Sequence, residues 1–318
     1  MMTHTATLGP VSVAALLAES LAPGKPSWST LFGDWSLDPP FALTVLVAAL
    51  YLSGVRRLAA SGRQWPVGRS VAFGTGLVMI AFATQSGFAQ YDRVLFSLHV
   101  AQHLLLGMVA PVFLVLGAPV TLALQASRRS AQTRGLRVLH SRPVAVVTHP
   151  LVVWILFGGT LVVLYFTGLY ELSLRNYWVH GLFHLHFIVV GCLFMAYVIG
   201  VDPLPRSFGY GARLLLVAVV LPFHAFLGVA LLGRRTVLAG DWYAHVSRPW
   251  VSGALSDQKL GAGMLWTFGE LFGLVALGIV LYQWMRHEEL VAVRADRRLD
   301  AATHRPEGEA PSAAMGSV

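Results

Sequence analysis

Seven apolar stretches follow one another along this chain, at 39–58, 70–88, 94–117, 150–169, 178–201, 212–232 and 262–284. Each is about 20 residues long, the length at which a helix rising about 1.5 Å per residue crosses a hydrocarbon layer about 30 Å thick. Lipid offers backbone N–H and C=O groups no partner, so segments of this kind must satisfy them internally, as helices. Charged residues make up only 12% of the 318 positions, against about 25% in soluble domains. The expected fold is all-α: a polytopic membrane protein whose domain, 39–285, is a bundle of about seven transmembrane helices. A polar extracytoplasmic segment, 1–38, precedes it, and a charged tail, 286–318, is expected to be disordered and cytoplasmic. Residues 1–20 hold a short apolar run with no basic residue before it and Glu19 at its end, which argues against a signal peptide.

Basic residues fall between the apolar runs and set an orientation. The connections 56–69, 125–148, 202–213 and the tail from 286 carry 16 Lys and Arg, whereas 1–38, 89–93, 170–177 and 233–261 carry 7. The positive-inside rule makes the first set cytoplasmic, with the N-terminus outside and the C-terminus inside. The net charge of +8 is thus read as topology and lipid contact, not as a nucleic-acid surface. A single cysteine, Cys192, excludes an internal disulfide and a CxxC site.

Ionisable side chains are rare inside the apolar stretches, and most of those present are histidines. His99 and His103 lie in "SLHVAQHLLLGM", His180, His184 and His186 in "YWVHGLFHLHF", and His224 in "LPFHAFLGV", while Glu270 is the carboxylate in the middle of a stretch. In the expected orientation they all fall within about 3–14 Å of the outer boundary, at about 1.5 Å per residue. Residues four apart share a helix face, so His99 with His103, and His180 with His184, can each grip one ion. His224 can complete the nitrogen set. Glu270 can serve as ligand, hydrogen-bond acceptor or proton acceptor. His186, two residues from His184, points the other way and is assigned to the second shell or to packing. Met108, Met195 and Cys192 read as packing residues. His149 and Asp202 read as structural residues at the inner face, with Thr148 as a helix cap, and Trp242, Tyr243, His245 and Trp250 as an interface belt.

Imidazoles suit zinc, copper, iron and nickel, and the Irving–Williams order favours copper among divalent ions. Haem b, held by one histidine from each of two helices in an electron carrier, is the alternative cofactor. A copper transporter is a further alternative, although the polar groups thin out towards the inner face. Neither HExxH nor a nucleophile motif occurs, so no enzyme activity is expected.

The blocks "HVAQHLLLGMVAPVFLVLGAPVTL", "THPLVVWILF", "YWVHGLFHLHF", "IGVDPLPR", "LPFHAFLGVAL", "GDWYA" and "DQKLGAGMLWTFGE" occur in this order. Together they resemble the CtaG family of caa3-type cytochrome c oxidase assembly factors, over about Asp34 to Arg286. The resemblance implies a multi-pass protein of the bacterial plasma membrane that assists maturation of the oxidase by handling copper, with oxidase subunits as partners. By motif matching it carries over His99, His103, His180, His184, His186, His224 and Glu270. Two local departures are Phe183, where a methionine is expected before the second histidine, and Ala262, which interrupts a glycine run.

Overall fold

The computed structural model describes residues 24–303 apart from 206–207, 247, 249 and 252. The expectations about a signal peptide and about the end of the tail lie outside these residues. All regular structure among the described residues is helical. Six helices are long and apolar enough to cross a membrane: α1 (Pro39–Ala60), α2 (Val67–Gln85), α3 (Phe96–Ala126), α6 (Tyr177–Ile199), α7 (Tyr210–Leu232) and the first part of α8 (Ala254–Thr303). The pair α4 (Pro150–Phe166) and α5 (Leu169–Arg175), which meet at a bend of 79°, makes a seventh if it is counted as one span. The chain is thus built as a multi-pass membrane protein of six or seven spans.

Local chemistry sets the helix ends. α1 opens on Pro39 and Pro40, where the missing N–H groups cost nothing. Asn176 caps α6 by accepting from the Trp178 and Val179 N–H groups at 2.9 and 3.2 Å, and Gly200, at φ 66°, ends it in the left-handed conformation. α3 is capped from another helix. The Asp257 carboxylate of α8 accepts from the backbone N–H of Phe96 at 2.7 Å and from the Ser97 hydroxyl at 2.5 Å.

Three expectations need correction. The stretch at 150–169 is not one straight span: Thr167 adopts an extended conformation before Gly168, and the chain turns into α5. The tail is not disordered from 286, because α8 continues as one helix to Thr303. Thr148 is not the cap of α4, since its hydroxyl donates back to Val144 O at 2.7 Å. His149 takes that place, its Nδ1 accepting from Leu151 N–H at 3.3 Å. Asp202 also has a cap to serve, accepting from the Val120 and Thr121 N–H groups at 3.1 and 2.8 Å where α3 resumes after Ala118.

α3 is the hub. One face packs with α1 and α2 around Leu106, Ala110 and Leu114. The other joins the larger core of α4 to α8 around Val100, Phe157, Phe194 and Leu265. Two short π-helical turns interrupt regular helix, Leu105–Val109 in α3 and Ile155–Gly159 in α4. At the end of the bundle where α3 and α6 begin, residues 24–38 fold across the α2–α3 connection. There Gly87 N–H donates to Gly33 O at 3.0 Å, and the Tyr91 hydroxyl donates to Gly24 O at 2.9 Å.

Candidate metal centre

The first turns of α3 and α6 run side by side, so their histidine pairs face one another. His99 and His103 have ring centroids 4.0 Å apart, and His180 and His184 4.4 Å. Across the two helices, His99 lies 5.7 Å from His180, and His103 lies 5.8 Å from His184. Four imidazoles from two helices therefore share one small volume. His99 is fully buried, and His103 and His180 nearly so.

Asp92, in the short connection before α3, closes the group. His180 Nε2 donates to Asp92 Oδ2 at 2.8 Å, and His184 Nε2 lies 4.0 Å from the same oxygen. One ligand atom from each of Asp92, His180 and His184 lies within 4.8 Å of the others, the spacing of a site for one ion. Burial works against ionising Asp92, but its neighbours, the hydrogen-bonded His180 first among them, hold its carboxyl below its usual value. Gln102 fixes the remaining orientation. Its amide N–H donates to Ala83 O at 2.7 Å, which turns its Oε1 towards His184 Nε2 at 2.9 Å.

Several donor atoms here have nothing to bond. Asp92 Oδ1, both nitrogens of His99, both of His103, and His180 Nδ1 are buried without a hydrogen-bond partner. Each such atom costs about 1–3 kcal/mol, so the cluster is an expensive arrangement unless something bridges its members. Its chemistry, imidazole nitrogens and one carboxylate, fits a transition-metal ion.

A roof of aromatic and arginine side chains covers the cluster. Tyr170, brought in by the bend before α5, lies 4.9 Å from His99 and shares a 2.6 Å hydrogen bond between hydroxyls with Tyr243. Trp242 Nε1 donates to Arg93 O at 2.8 Å, and the Arg93 guanidinium stacks over the same indole. Tyr243, buried against Tyr170, thus faces the site and not the interface belt read from sequence, while Trp242 packs against Arg93, the neighbour of Asp92. His245 is exposed.

The other sequence-derived candidates are not in this group. His224 is buried on α7 between Phe157 and Phe223, its ring 3.1 Å from the position a Cβ would occupy at Gly269. It shares with His103 the wall of a small cavity, not the Asp92 cluster. Glu270 is outside the Asp92 group, beside the backbone of Ala225 next to His224, with Oε1 unpartnered. His186 faces α4, as the packing alternative has it. Its Nε2 donates at 2.8 Å to the Thr160 hydroxyl, which itself donates to Leu156 O. The two-residue offset from His184 turns it out of the cluster.

Asp92 escaped the sequence reading because it stands outside the apolar stretches. The usable signal was its place in "QYDR", a connection too short to carry a carboxylate far from the ends of the helices it joins. Gln102 was equally legible, one position before His103 in the middle of a span.

Among curated proteins, the chain is 38% identical over 287 residues to an uncharacterized protein of Mycobacterium leprae. It is 37% identical over the same length to uncharacterized proteins of Mycobacterium bovis and Mycobacterium tuberculosis. These alignments cover 88% of this chain but only 43–44% of the relatives, so the chain spans less than half their length. No solved structure matches it significantly. The family model for the cytochrome c oxidase caa3 assembly factor, Caa3_CtaG, matches residues 49–287, every histidine of the cluster included, and the chain belongs to that family.

Proposed function

We propose that this protein is a non-catalytic assembly factor of a bacterial plasma membrane. It holds copper on Asp92, His180 and His184, with His99 beside them, and passes the ion to a cytochrome c oxidase subunit docked at that end of the bundle. The observation that carries this reading is the set of buried, unpartnered donor atoms drawn from two helices and the connection before α3. Family membership supplies the oxidase as the partner. Copper fits the imidazole-rich donor set as Cu(I) or Cu(II), and as Cu(II) stands highest in the divalent order.

Asp92 is suited to two tasks. It offers a carboxylate oxygen to the ion, and it fixes the His180 tautomer so that Nδ1 presents a lone pair. Tyr170, Tyr243 and Trp242 keep water from the bound ion, and loading and release require them to move aside. A bare ion is favoured over haem b, because the cluster gathers a carboxylate and several imidazoles in one small volume, a donor set suited to a single ion. A chaperone is favoured over a transporter, because Phe157, Phe187, Phe194 and Met195 fill the core beyond the histidines with apolar side chains. The positive-inside count puts the cluster on the extracytoplasmic side.

The test is metal analysis of the purified full-length protein. Wild type is expected to retain copper, and His180→Ala/His184→Ala to lose it from this site. Protein that supports oxidase assembly while holding no copper would overturn the reading.

A further inference from the structure

Beyond the Asp92 cluster, a partly open cavity of about 30 Å³, with His103 in its wall, lies between α3, α4, α6, α7 and α8. A space of that size takes one water molecule or one ion. Most of its wall is apolar, but His103, His224, Tyr165 and Met108 also face it. His224 is fully buried and Tyr165 1% exposed, and neither His224 Nε2 nor the Tyr165 hydroxyl has a hydrogen-bond partner.

The tautomer of His224 follows from its neighbour. Nδ1 lies 3.2 Å from Val220 O, and a carbonyl oxygen can only accept, so Nδ1 carries the proton. Nε2 therefore presents a lone pair, the orientation that a backbone acceptor imposes on a metal-binding imidazole. Met108 adds a buried thioether, 6% exposed. The backbone is also unusual here. Both π-helical turns contribute wall residues, Gly107 and Met108 from one and Phe157 from the other. Such turns are rare and are frequent at functional sites.

We propose that this chamber is a second copper station, taking Cu(I) on His103, His224 and Met108. It rests on the copper reading of the Asp92 cluster and extends it: the protein holds two ions in neighbouring sites, of which the inner one is thioether-containing and selective for the soft, reduced ion. His103 stands between the stations, its ring 4.0 Å from that of His99. No redox step is involved, because the ion enters as Cu(I) and stays so.

Full-length protein is loaded anaerobically with Cu(I), freed of excess metal and assayed for copper per chain, with X-ray absorption reporting sulfur neighbours. Wild type is expected to hold two copper ions, one with a sulfur neighbour. Met108→Leu, which conserves volume, and His224→Gln are each expected to hold one, without sulfur. His180→Ala/His184→Ala is also expected to hold one, with sulfur. If wild type holds one ion and His180→Ala/His184→Ala holds none, the chamber contains water only; the second station is then overturned while the copper reading stands. A wild type with no copper overturns both.

Discussion

Asp92 is a residue whose importance depends on where its neighbours arrive. As a carboxylate 2.8 Å from His180 Nε2, it orients the imidazole and supplies negative charge to a cation. Asp92→Asn keeps the shape and removes the charge, so copper affinity is expected to fall about 10–100-fold, the usual penalty for losing a partner of a ligating histidine. A competition titration against a chelator of known affinity measures this, and an unchanged affinity would show that Asp92 takes no part. Protons compete with metal for imidazole nitrogens. Copper retention is therefore expected to decline as pH falls, and dialysis across a pH series reads the loss directly. His186 provides the internal control: bonded to Thr160 and outside the cluster, its change to Ala is expected to leave copper content as in wild type.

Among the helices, the contact between α3 and α6 sets the distance between the two histidine pairs. The two helices approach closely at Gly191, where an added Cβ would fall 2.2 Å from Gly107 O. Small residues let transmembrane backbones approach this closely when no hydrophobic effect drives them together. Gly191→Ala is expected to push α6 away from the π-helical turn of α3, at a cost of about 1–3 kcal/mol for overpacking. A lower midpoint of thermal unfolding in detergent, together with weaker copper retention, checks it. The start of α3 is held by α8, through the bonds of Phe96 and Ser97 to Asp257, so the depth of His99 is set by a helix more than 150 residues away in sequence. No pattern within α3 announces that cap. The i, i+4 spacing of the histidines announces their shared face, and the ring distances within each pair agree with it.

At the level of the whole molecule, the last helix runs beyond the bundle. Residues 286–300 are exposed throughout and belong to neither large core. Truncation after His287, which keeps the ring contact of His287 with Tyr210 of α7, is accordingly expected to leave the unfolding midpoint and copper content unchanged, and a large loss of either would show that the rest of the extension bears on the bundle. Most of the bundle was legible in the sequence, because apolar length against membrane thickness is a local property. Six of the seven stretches overlap single helices, and the seventh bends at Thr167 and Gly168. The grouping of side chains was only half legible. His99, His103, His180 and His184 meet as their spacing suggests, whereas His224, Glu270 and His186 were placed with them by depth, and depth says nothing about azimuth around the bundle axis. By itself, then, the sequence determined the number of candidate spans, the faces carrying histidine pairs and the family, all of which follow from hydrophobicity, helical periodicity and ordered motifs. Only the tertiary structure decided that Asp92 completes the cluster, that Tyr170, Tyr243 and Trp242 cover it, and that His224 looks into a separate chamber, because these depend on which helices stand next to each other and on their rotation.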